Sequence, residues 1–325
     1  MAIHKQQNEF SGAAGEYPVD SLTVTVITDN YYDAVRRDPP MGKRYRTVPG
    51  QAIYAEHGLS YAIETVVEGI HGMFMFNFGL SPQVFMNNLL LLGVDVAATR
   101  GLSLSHGHFD HWGGLIDLLK MYGHSIRAGT PFFAGEEAFA HRFSLRPSGD
   151  DLYDLGSLDR KEIESSEKIT VIDVKDPVEI IKGTWLTGSI ERVTSYERVP
   201  PTLFIMREDS IEEDDFRGEL AVVCNVKGKG LVAISGCAHA GIVNTVCHAQ
   251  KITGIDKVHV VMGGFHLVNA DPEIIEKTIA DINAIGPDYI IPMHCTGFEA
   301  VTAFRDAMPE QFILNTAGTR YSFGP

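Results

Sequence analysis

Residues 105–112 read S-H-G-H-F-D-H-W and place three histidines and one aspartate within six positions, namely His106, His108, Asp110 and His111. Neutral imidazole nitrogens and a carboxylate oxygen are ligands that divalent transition metals accept. With 13 histidines in 325 residues, the pattern H-x-H-x-D-H is expected by chance in only about one chain in a thousand. The stretch therefore predicts a metal site.

The spacing within this motif allows its residues to serve two metals. In an extended segment, residues i and i+2 point to the same side, so His106 and His108 can face one metal together. Asp110 and His111 then turn with the chain and can serve a second metal in the same pocket. Two metals roughly 3.5–4 Å apart can share a water and lower its pKa to about 7, which makes hydroxide available at neutral pH. This chemistry is typical of a hydrolase, in which we expect Asp110 to orient the water and accept its proton.

Composition and charge predict a soluble, cytoplasmic protein that acts on a small molecule. The chain has 44% hydrophobic residues and a formal net charge of −15, with its acidic residues scattered. This charge should repel nucleic acids and anionic membranes, which excludes both as partners. The apolar stretches are far shorter than the roughly 20 residues needed to cross a bilayer, and the first residues lack a signal-peptide pattern. The four cysteines form no C-x-x-C pair, which fits a reducing compartment.

Alternating strand-like and helix-like patterns predict a layered α/β protein. We expect strands at 22–28, 61–67, 72–78, 97–105, 169–174, 201–206, 220–226, 230–235, 258–262 and 289–292, and helices at 83–92, 114–122, 241–254 and 272–284. The polar stretch 148–168 predicts a loop with a helical turn or two. It marks a seam between two αβ halves within one domain that spans residues 1–325.

Three further candidate groups follow β-rich runs in the second half. They are S-G-C-A-H, which ends at His239, G-G-F-H, which ends at His266, and P-M-H-C-T-G, which contains His294. Because ligands gather where the strands of a layered sheet end, we expect His294 to be a metal ligand. Cys237 and His239 are expected either to bind metal or to support residues that do. For His266, a contact with the substrate or with a residue that binds metal is favoured over direct metal binding.

The motif at 106–111 resembles the signature of the metallo-β-lactamase superfamily, and the resemblance extends over nearly the whole chain. It implies a four-layer αββα sandwich with the metals at one edge of two facing sheets. The turn L-F-D-T-G of that family corresponds here to M-F-N-F-G at 75–79, so the uncharged Asn77 stands where the family has an aspartate. The last metal ligand of the family corresponds to His294.

The fourth motif of the superfamily is usually G-D, and zinc β-lactamases have G-G-C in its place. Here it reads S-G-C, so the resemblance implies that Cys237 binds one metal. A thiolate is a soft ligand that favours zinc, although iron and manganese also accept this mixture of donors.

The third motif of the superfamily supplies a histidine to the first metal, but no histidine occurs between His141 and His239. Three alternatives follow. The first site is incomplete, His239 acts as a substitute, or a single metal binds on the side of Asp110, His111 and His294. We expect His239 to be the substitute.

Four blocks, at 55–60, 236–245, 263–267 and 294–297, are similar to a narrower subgroup within the superfamily. That subgroup is typified by an archaeal enzyme of methanopterin synthesis that joins a dihydropterin pyrophosphate to a ribofuranosyl-aminobenzene phosphate. The resemblance implies a pocket for a phosphorylated or heteroaromatic molecule. It also implies that His57 and His266, which lie in these blocks, contact the substrate.

Three functions are compatible with these observations. The first is a metal-dependent hydrolase that uses metal-bound hydroxide on a small anionic substrate, with one or two divalent ions, most simply zinc. The second is a transferase in which the metals bind the pyrophosphate of a dihydropterin while an arylamine displaces it. The third is a metal-dependent binding protein without catalysis, which Asn77 and the absent third-motif histidine would explain.

Overall fold

The computed structural model describes Ala14, residues 16–146, Gly149 and residues 151–324. The strands within these residues are β1 (Ser21–Thr28), β2 (Gly42–Arg44), β3 (Ser60–Val67), β4 (Ile70–Phe78), β5 (Leu102–Ser103), β6 (Thr130–Gly135), β7 (Arg142–Leu145), β8 (Leu152–Gly156), β9 (Ile169–Val174), β10 (Val178–Ile181), β11 (Thr184–Leu186), β12 (Leu203–Arg207), β13 (Ser210–Glu213), β14 (Val222–Val226), β15 (Gly230–Ile234), β16 (Val258–Gly264), β17 (Tyr289–Met293) and β18 (Thr319–Phe323). The helices are α1 (Pro82–Leu91), α2 (Phe109–Trp112), α3 (Leu115–Tyr122), α4 (Arg160–Glu164), α5 (Ile242–Thr253), α6 (Pro272–Ile285) and α7 (Phe298–Ala307).

Two large sheets form the centre of the molecule. The first contains eight strands in the order β2-β18-β1-β3-β4-β5-β6-β9, and the second contains six in the order β10-β11-β14-β15-β16-β17. A third, smaller sheet has the antiparallel order β13-β12-β7-β8. Among the helices of the described chain, none combines the length and the apolar character needed to span a membrane.

Alternation of side chains along the strands explains why the two large sheets face each other. On β4, Phe74 and Phe76 belong to the core between the sheets, whereas Met75 points to the opposite side. On β15, Ile234 belongs to the same central core, whereas Ala233 packs beneath helices. Each sheet therefore buries both of its faces.

Helices cover the outer face of each large sheet. Phe85 of α1 and Leu115 of α3 pack against the first sheet. Ile242 of α5, Ile282 of α6 and Phe304 of α7 pack against the second. The layers thus follow the order helix, sheet, sheet, helix, and the predicted αββα sandwich is confirmed.

Two predicted elements are wrong. The strand expected at 97–105 is reduced to β5, because the Asp95 carboxylate accepts a hydrogen bond from the Ala97 amide and starts a 3₁₀ turn at Val96–Ala98. The stretch 148–168 contains the expected helical turn, α4, but the strand β8 stands where a loop is expected. The segment L-Y-D-L-G forms this strand because β8 pairs with β7 in the small sheet, where the β8 side chains are exposed or half-buried.

The ends of four parallel strands bring the candidate site residues to one edge. Strands β15, β16 and β17 are parallel neighbours in the second sheet. They lead into Cys237, His266 and His294 respectively. In the first sheet β5 lies parallel to β4 and β6 and leads into His106. The two facing sheets thereby supply opposite sides of one pocket.

Candidate metal centre

The histidine-rich loop lies directly against the turn that follows β4. The Gly113 amide donates to the Gly79 carbonyl at 2.9 Å, and the Gly114 amide donates to the Phe78 carbonyl at 3.0 Å. A Cβ atom at position 113 would lie 1.8 Å from the Leu80 carbonyl oxygen, so only glycine allows this approach. The two glycines after the motif therefore fix the position of its backbone relative to this turn.

Asn77 supports the first histidine of the motif through neutral hydrogen bonds. It adopts a left-handed backbone with φ 62°, and its Oδ1 accepts the Ser105 amide at 2.8 Å. The Ser105 hydroxyl in turn lies 2.9 Å from His106 Nδ1. An uncharged asparagine thus keeps a structural connection to the loop in the place where the family aspartate would add charge.

The first group of donor atoms consists of His106, Cys237 and His239, whose ligand atoms all lie within 4.8 Å of one another. His106 Nε2 and His239 Nε2 are 3.2 Å apart. The His108 ring lies beside this group, with its centroid 4.7 Å from that of His106 and 4.9 Å from that of His239. The structure therefore places His239 next to the two histidines that lack an ordinary third partner.

Two side chains that the sequence did not single out hold His239 in this position. The buried Glu219 carboxylate accepts the amides of His239 and Ala240 at 2.9 and 2.6 Å. The Phe216 ring stacks on the His239 ring with centroids 3.7 Å apart, and the His266 ring lies 4.1 Å from it. The imidazole of His239 thus packs against the Phe216 and His266 rings, and His266 contacts a residue that is a candidate metal ligand.

The second group consists of His111, Cys237 and His294, again within 4.8 Å. Cys237 Sγ lies 3.0 Å from His111 Nε2. Because Cys237 belongs to both groups, its thiol could serve an ion in either group or in both. This placement suits a ligand shared by two ions.

Asp110 lies beside the second group and is nearly surrounded by imidazoles. Its Oδ2 is 3.2 Å from His294 Nε2, 3.5 Å from His57 Nε2 and 3.7 Å from His111 Nε2. Burial acts to raise the pKa of this carboxyl, but His111 and His294 outweigh it and lower the pKa. Asp110 is therefore a carboxylate at neutral pH. The His57 side chain is 61% exposed and forms part of the pocket mouth.

The backbone of His294 is fixed by the residues that follow β1. Asp29 Oδ1 accepts the His294 amide at 3.0 Å, and Asp29 Oδ2 accepts the Asn315 side-chain amide at 2.7 Å. The Asn30 side-chain amide donates to the His294 carbonyl at 3.1 Å. These contacts hold His294 in a left-handed conformation with φ 53°. The sequence indicated only a turn at Asp29 and Asn30.

The donor set fits divalent transition metals. Four buried imidazole nitrogens have no hydrogen-bond partner among the described residues, namely His108 Nε2, His111 Nδ1, His239 Nδ1 and His294 Nε2. Burial lowers the pKa of His106, His108 and His239 well below the usual range, which keeps these rings neutral. Neutral imidazole is the form that binds metal, and a mixture of nitrogen, thiolate and carboxylate donors suits zinc best.

Acid is expected to destabilise the chelator-treated protein. Burial lowers the pKa of His111 to about 3 and that of His266 to about 4, from an ordinary 6.5. Between these values and 6.5 these two residues bind more protons in the unfolded chain than in the folded chain, so they lower stability as the pH falls. Glu219, whose pKa burial raises to about 7, acts in the opposite direction, but it is one group against two. The pKa of His294 is raised to about 9 by Cys295 and Asp110 against the effect of burial, so its proton change lies above this window.

We therefore expect the Tm to fall by roughly 10 °C between pH 6.5 and 4.5, as measured by calorimetry in the presence of a chelator. Zinc-loaded protein, measured in parallel without chelator, is the control for general acid effects. A metal-free Tm that stays constant over this window would contradict the neutral state of the buried histidines.

Comparison with known proteins identifies the family. The 7,8-dihydropterin-6-methyl-4-(β-D-ribofuranosyl)-aminobenzene-5'-phosphate synthase of Methanocaldococcus jannaschii is 33% identical over 275 residues, which cover 83% of this chain and 91% of that protein. The crystal structure of Tm1679, a metal-dependent hydrolase of the β-lactamase superfamily, is 25% identical with a TM-score of 0.72 and covers 94% of this chain and 100% of that chain.

The metallo-β-lactamase fold protein YhfI from Bacillus subtilis is 10% identical with a TM-score of 0.53, covers 93% of this chain and 99% of its own, and supports the fold alone. No family sequence model matches the chain. The relative that is 33% identical matches most of both chains, and the hydrolase structure that is 25% identical shares the fold. The chain therefore belongs to the metallo-β-lactamase superfamily, in the family of the archaeal dihydropterin-methyl-ribofuranosyl-aminobenzene phosphate synthase.

Proposed function

We propose that this protein is a metal-dependent hydrolase that cleaves a phosphoester or related bond in a small anionic substrate. The observation that carries the proposal is the meeting of two donor groups at Cys237. His106 and His239 lie on one side of its thiol, and His111 and His294 lie on the other. Such an arrangement favours two ions in one pocket, most simply zinc, with iron or manganese as alternatives.

In this proposal, individual residues of the chain activate water and bind the substrate. When bound, divalent cations would polarise a phosphoryl oxygen and lower the pKa of water. Asp110, a buried carboxylate at neutral pH, is placed to orient an attacking water and to accept its proton. We assign contacts with the substrate to the exposed His57 and the half-buried His266. The imidazoles that line the pocket add no negative charge that would repel an anion.

The proposal is tested by turnover of phosphomonoester, phosphodiester and lactone substrates with zinc-loaded protein. We expect turnover of at least one phosphoester, its loss on chelation and its recovery when zinc is added back. Activity that survives both chelation and the change Asp110→Ala would contradict the mechanism. Tight binding of a ligand without product under any metal would instead favour a non-catalytic binding protein.

A second candidate is a transferase, and one observation favours it. The relative that is 33% identical is a synthase whose named product contains a dihydropterin and an aminobenzene phosphate. In the same pocket, the ions would bind the pyrophosphate of a pterin substrate while an arylamine displaces it. Incubation with a pterin pyrophosphate separates the two functions. Pyrophosphate released only after an arylamine is added favours transfer, and release in water alone favours hydrolysis.

A further inference from the structure

Asn30 lies between the two histidines that approach Asp110 from the side of β1. Its Nδ2 is 3.1 Å from the His294 carbonyl oxygen and 3.3 Å from His57 Nδ1. Its Oδ1 is 3.2 Å from His294 Nδ1. The backbone amide of Asn30 donates to Asp29 Oδ1 at 2.8 Å. One side-chain amide therefore contacts both imidazoles at the same time.

Donor and acceptor rules determine how these contacts are protonated. A carbonyl oxygen only accepts hydrogen bonds, so the atom that faces the His294 carbonyl must be the NH₂ group of Asn30. The amide oxygen of Asn30 then faces His294 Nδ1, which must carry hydrogen in order to donate. The second hydrogen of the NH₂ group points to His57 Nδ1, which must accept. A neutral His57 therefore carries its hydrogen on Nε2.

We infer that Asn30 is a positioning residue that assigns opposite roles to the two histidines. His294 is held with its hydrogen on Nδ1, which leaves Nε2, 3.2 Å from Asp110 Oδ2, as the nitrogen that would bind metal. His57 presents an Nε2–H group 3.5 Å from the same oxygen, which suits a hydrogen-bond donor. His57, Asp110 and His294 place ligand atoms within 4.8 Å of one another, but the protonation of His57 removes it from the metal ligands.

The exposure of the two rings agrees with these roles. The His294 side chain is fully buried, whereas the His57 side chain is 61% exposed. His57 is therefore open to solvent, and we assign its N–H group to a substrate oxygen. On the basis of the proposed function, this oxygen belongs to the phosphoryl group or to the group that leaves it. A hydrogen bond from His57 stabilises the negative charge on this substrate oxygen. A second carboxylate in the place of His57 would instead repel that charge.

The protonation of the two rings can be measured without any substrate. Long-range ¹⁵N–¹H NMR of ¹⁵N-histidine-labelled protein at pH 8 distinguishes a hydrogen on Nδ1 from one on Nε2. We expect His57 to carry its hydrogen on Nε2 in metal-free and zinc-loaded protein, and His294 to carry hydrogen on Nδ1 alone once zinc is bound. His57→Gln and Asn30→Ala assign the signals. A wild-type His57 with hydrogen on Nδ1 would overturn the inference.

The change Asn30→Asp tests whether Asn30 is the cause. A carboxylate only accepts, so His57 should move its hydrogen to Nδ1 while His294 keeps its own. We expect this variant to retain its zinc and to lose about 10- to 100-fold in kcat/KM. Asn283→Asp, an exposed position on α6, adds the same charge far from the sequence motifs of the site and should change neither quantity. An unchanged His57 in Asn30→Asp would contradict the role of Asn30.

Two substitutions of His57 test the donor role itself. Glutamine can place an amide N–H near the position of Nε2, whereas asparagine reaches only the position of Nδ1. We expect His57→Gln to retain at least 10-fold more activity than His57→Asn, with equal zinc content. Equal losses in both variants would contradict donation from Nε2. The two proposals can fail separately. If His57 carries its hydrogen on Nε2 but no phosphoester is turned over, the role of Asn30 is supported and the proposed hydrolase function is contradicted.

Discussion

Replacing Asp110 by asparagine is expected to lower kcat/KM by about 1000-fold, which combines the loss of a general base with the loss of a charge beside the metals. The side chain is buried, and its Oδ2 lies within 3.7 Å of three imidazole nitrogens, those of His57, His111 and His294. Asparagine preserves the size of the side chain but removes the negative charge and half of the acceptor capacity. The folded structure should therefore persist while the chemistry fails.

The measurement combines steady-state kinetics with zinc content and thermal stability. We expect a loss in kcat rather than in KM, a lower affinity for the ion on the His294 side, and a Tm within a few degrees of the wild type. Asp288→Asn is the matched control, because Asp288 Oδ2 also lies beside an imidazole nitrogen, 2.6 Å from His259 Nδ1, in another part of the fold. An Asp110→Asn variant with activity within tenfold of the wild type would exclude Asp110 as the catalytic base.

The sequence predicted those parts of the site that depend on local patterns. The H-x-H-x-D-H loop is recognisable because its ligands are close together in the chain, and His294 is recognisable because it follows a strand. The expectation that His239 substitutes as a ligand of the first metal stays a prediction, and the distance of 3.2 Å between its Nε2 and that of His106 is compatible with it. It depended on the resemblance to a family, which itself left three alternatives open.

The supporting residues could not be predicted, because their contacts join distant parts of the chain. Glu219 and Phe216 lie in the loop between β13 and β14, where neither spacing nor composition indicates a partner. They meet His239 only after the two sheets pack. Asp29 and Asn30 are recognisable as candidates, since polar residues at the end of a buried strand often belong to a site. Their D-N sequence is also typical of an ordinary turn, and this alone does not distinguish the two roles.

The fold was predictable in its layers but less so in its short strands. Long strands such as β4 alternate between two apolar faces, and this pattern is visible in sequence. The two-residue strand β5 has almost no pattern, and β8, which reads L-Y-D-L-G, lies in a stretch whose polar composition is typical of a loop. Both exist because neighbouring strands offer backbone partners, which no local window reveals.

Removal of the thiol of Cys237 is expected to have the second large effect. Its sulfur belongs to the group with His106 and His239 and also to the group with His111 and His294. No other residue in the described chain is a member of both groups. We therefore expect Cys237→Ala to reduce bound zinc from two ions to fewer than one per chain, and to lower kcat/KM by about 1000-fold. Inductively coupled plasma mass spectrometry and kinetics on the same sample measure both quantities.

His239→Ala provides a graded comparison, because His239 contributes to the first group only. This variant should lose one zinc ion and keep the other. We therefore expect two zinc ions per chain in the wild type, one in His239→Ala and fewer than one in Cys237→Ala. Cys224→Ala is the matched control, since this buried thiol on β14 contacts Thr184 Oγ1 and lies outside both groups. It should cost about 1 kcal/mol of stability and no zinc.

Two results would contradict this arrangement. Full zinc content in Cys237→Ala would show that imidazoles and Asp110 hold both ions without a shared thiolate. Unchanged zinc in His239→Ala would show that His106 and His108 need no third histidine, so His239 would then act only through its packing between Phe216 and His266. Because each variant removes a different set of donors, the zinc contents separate a shared-thiolate centre from a site that holds one ion.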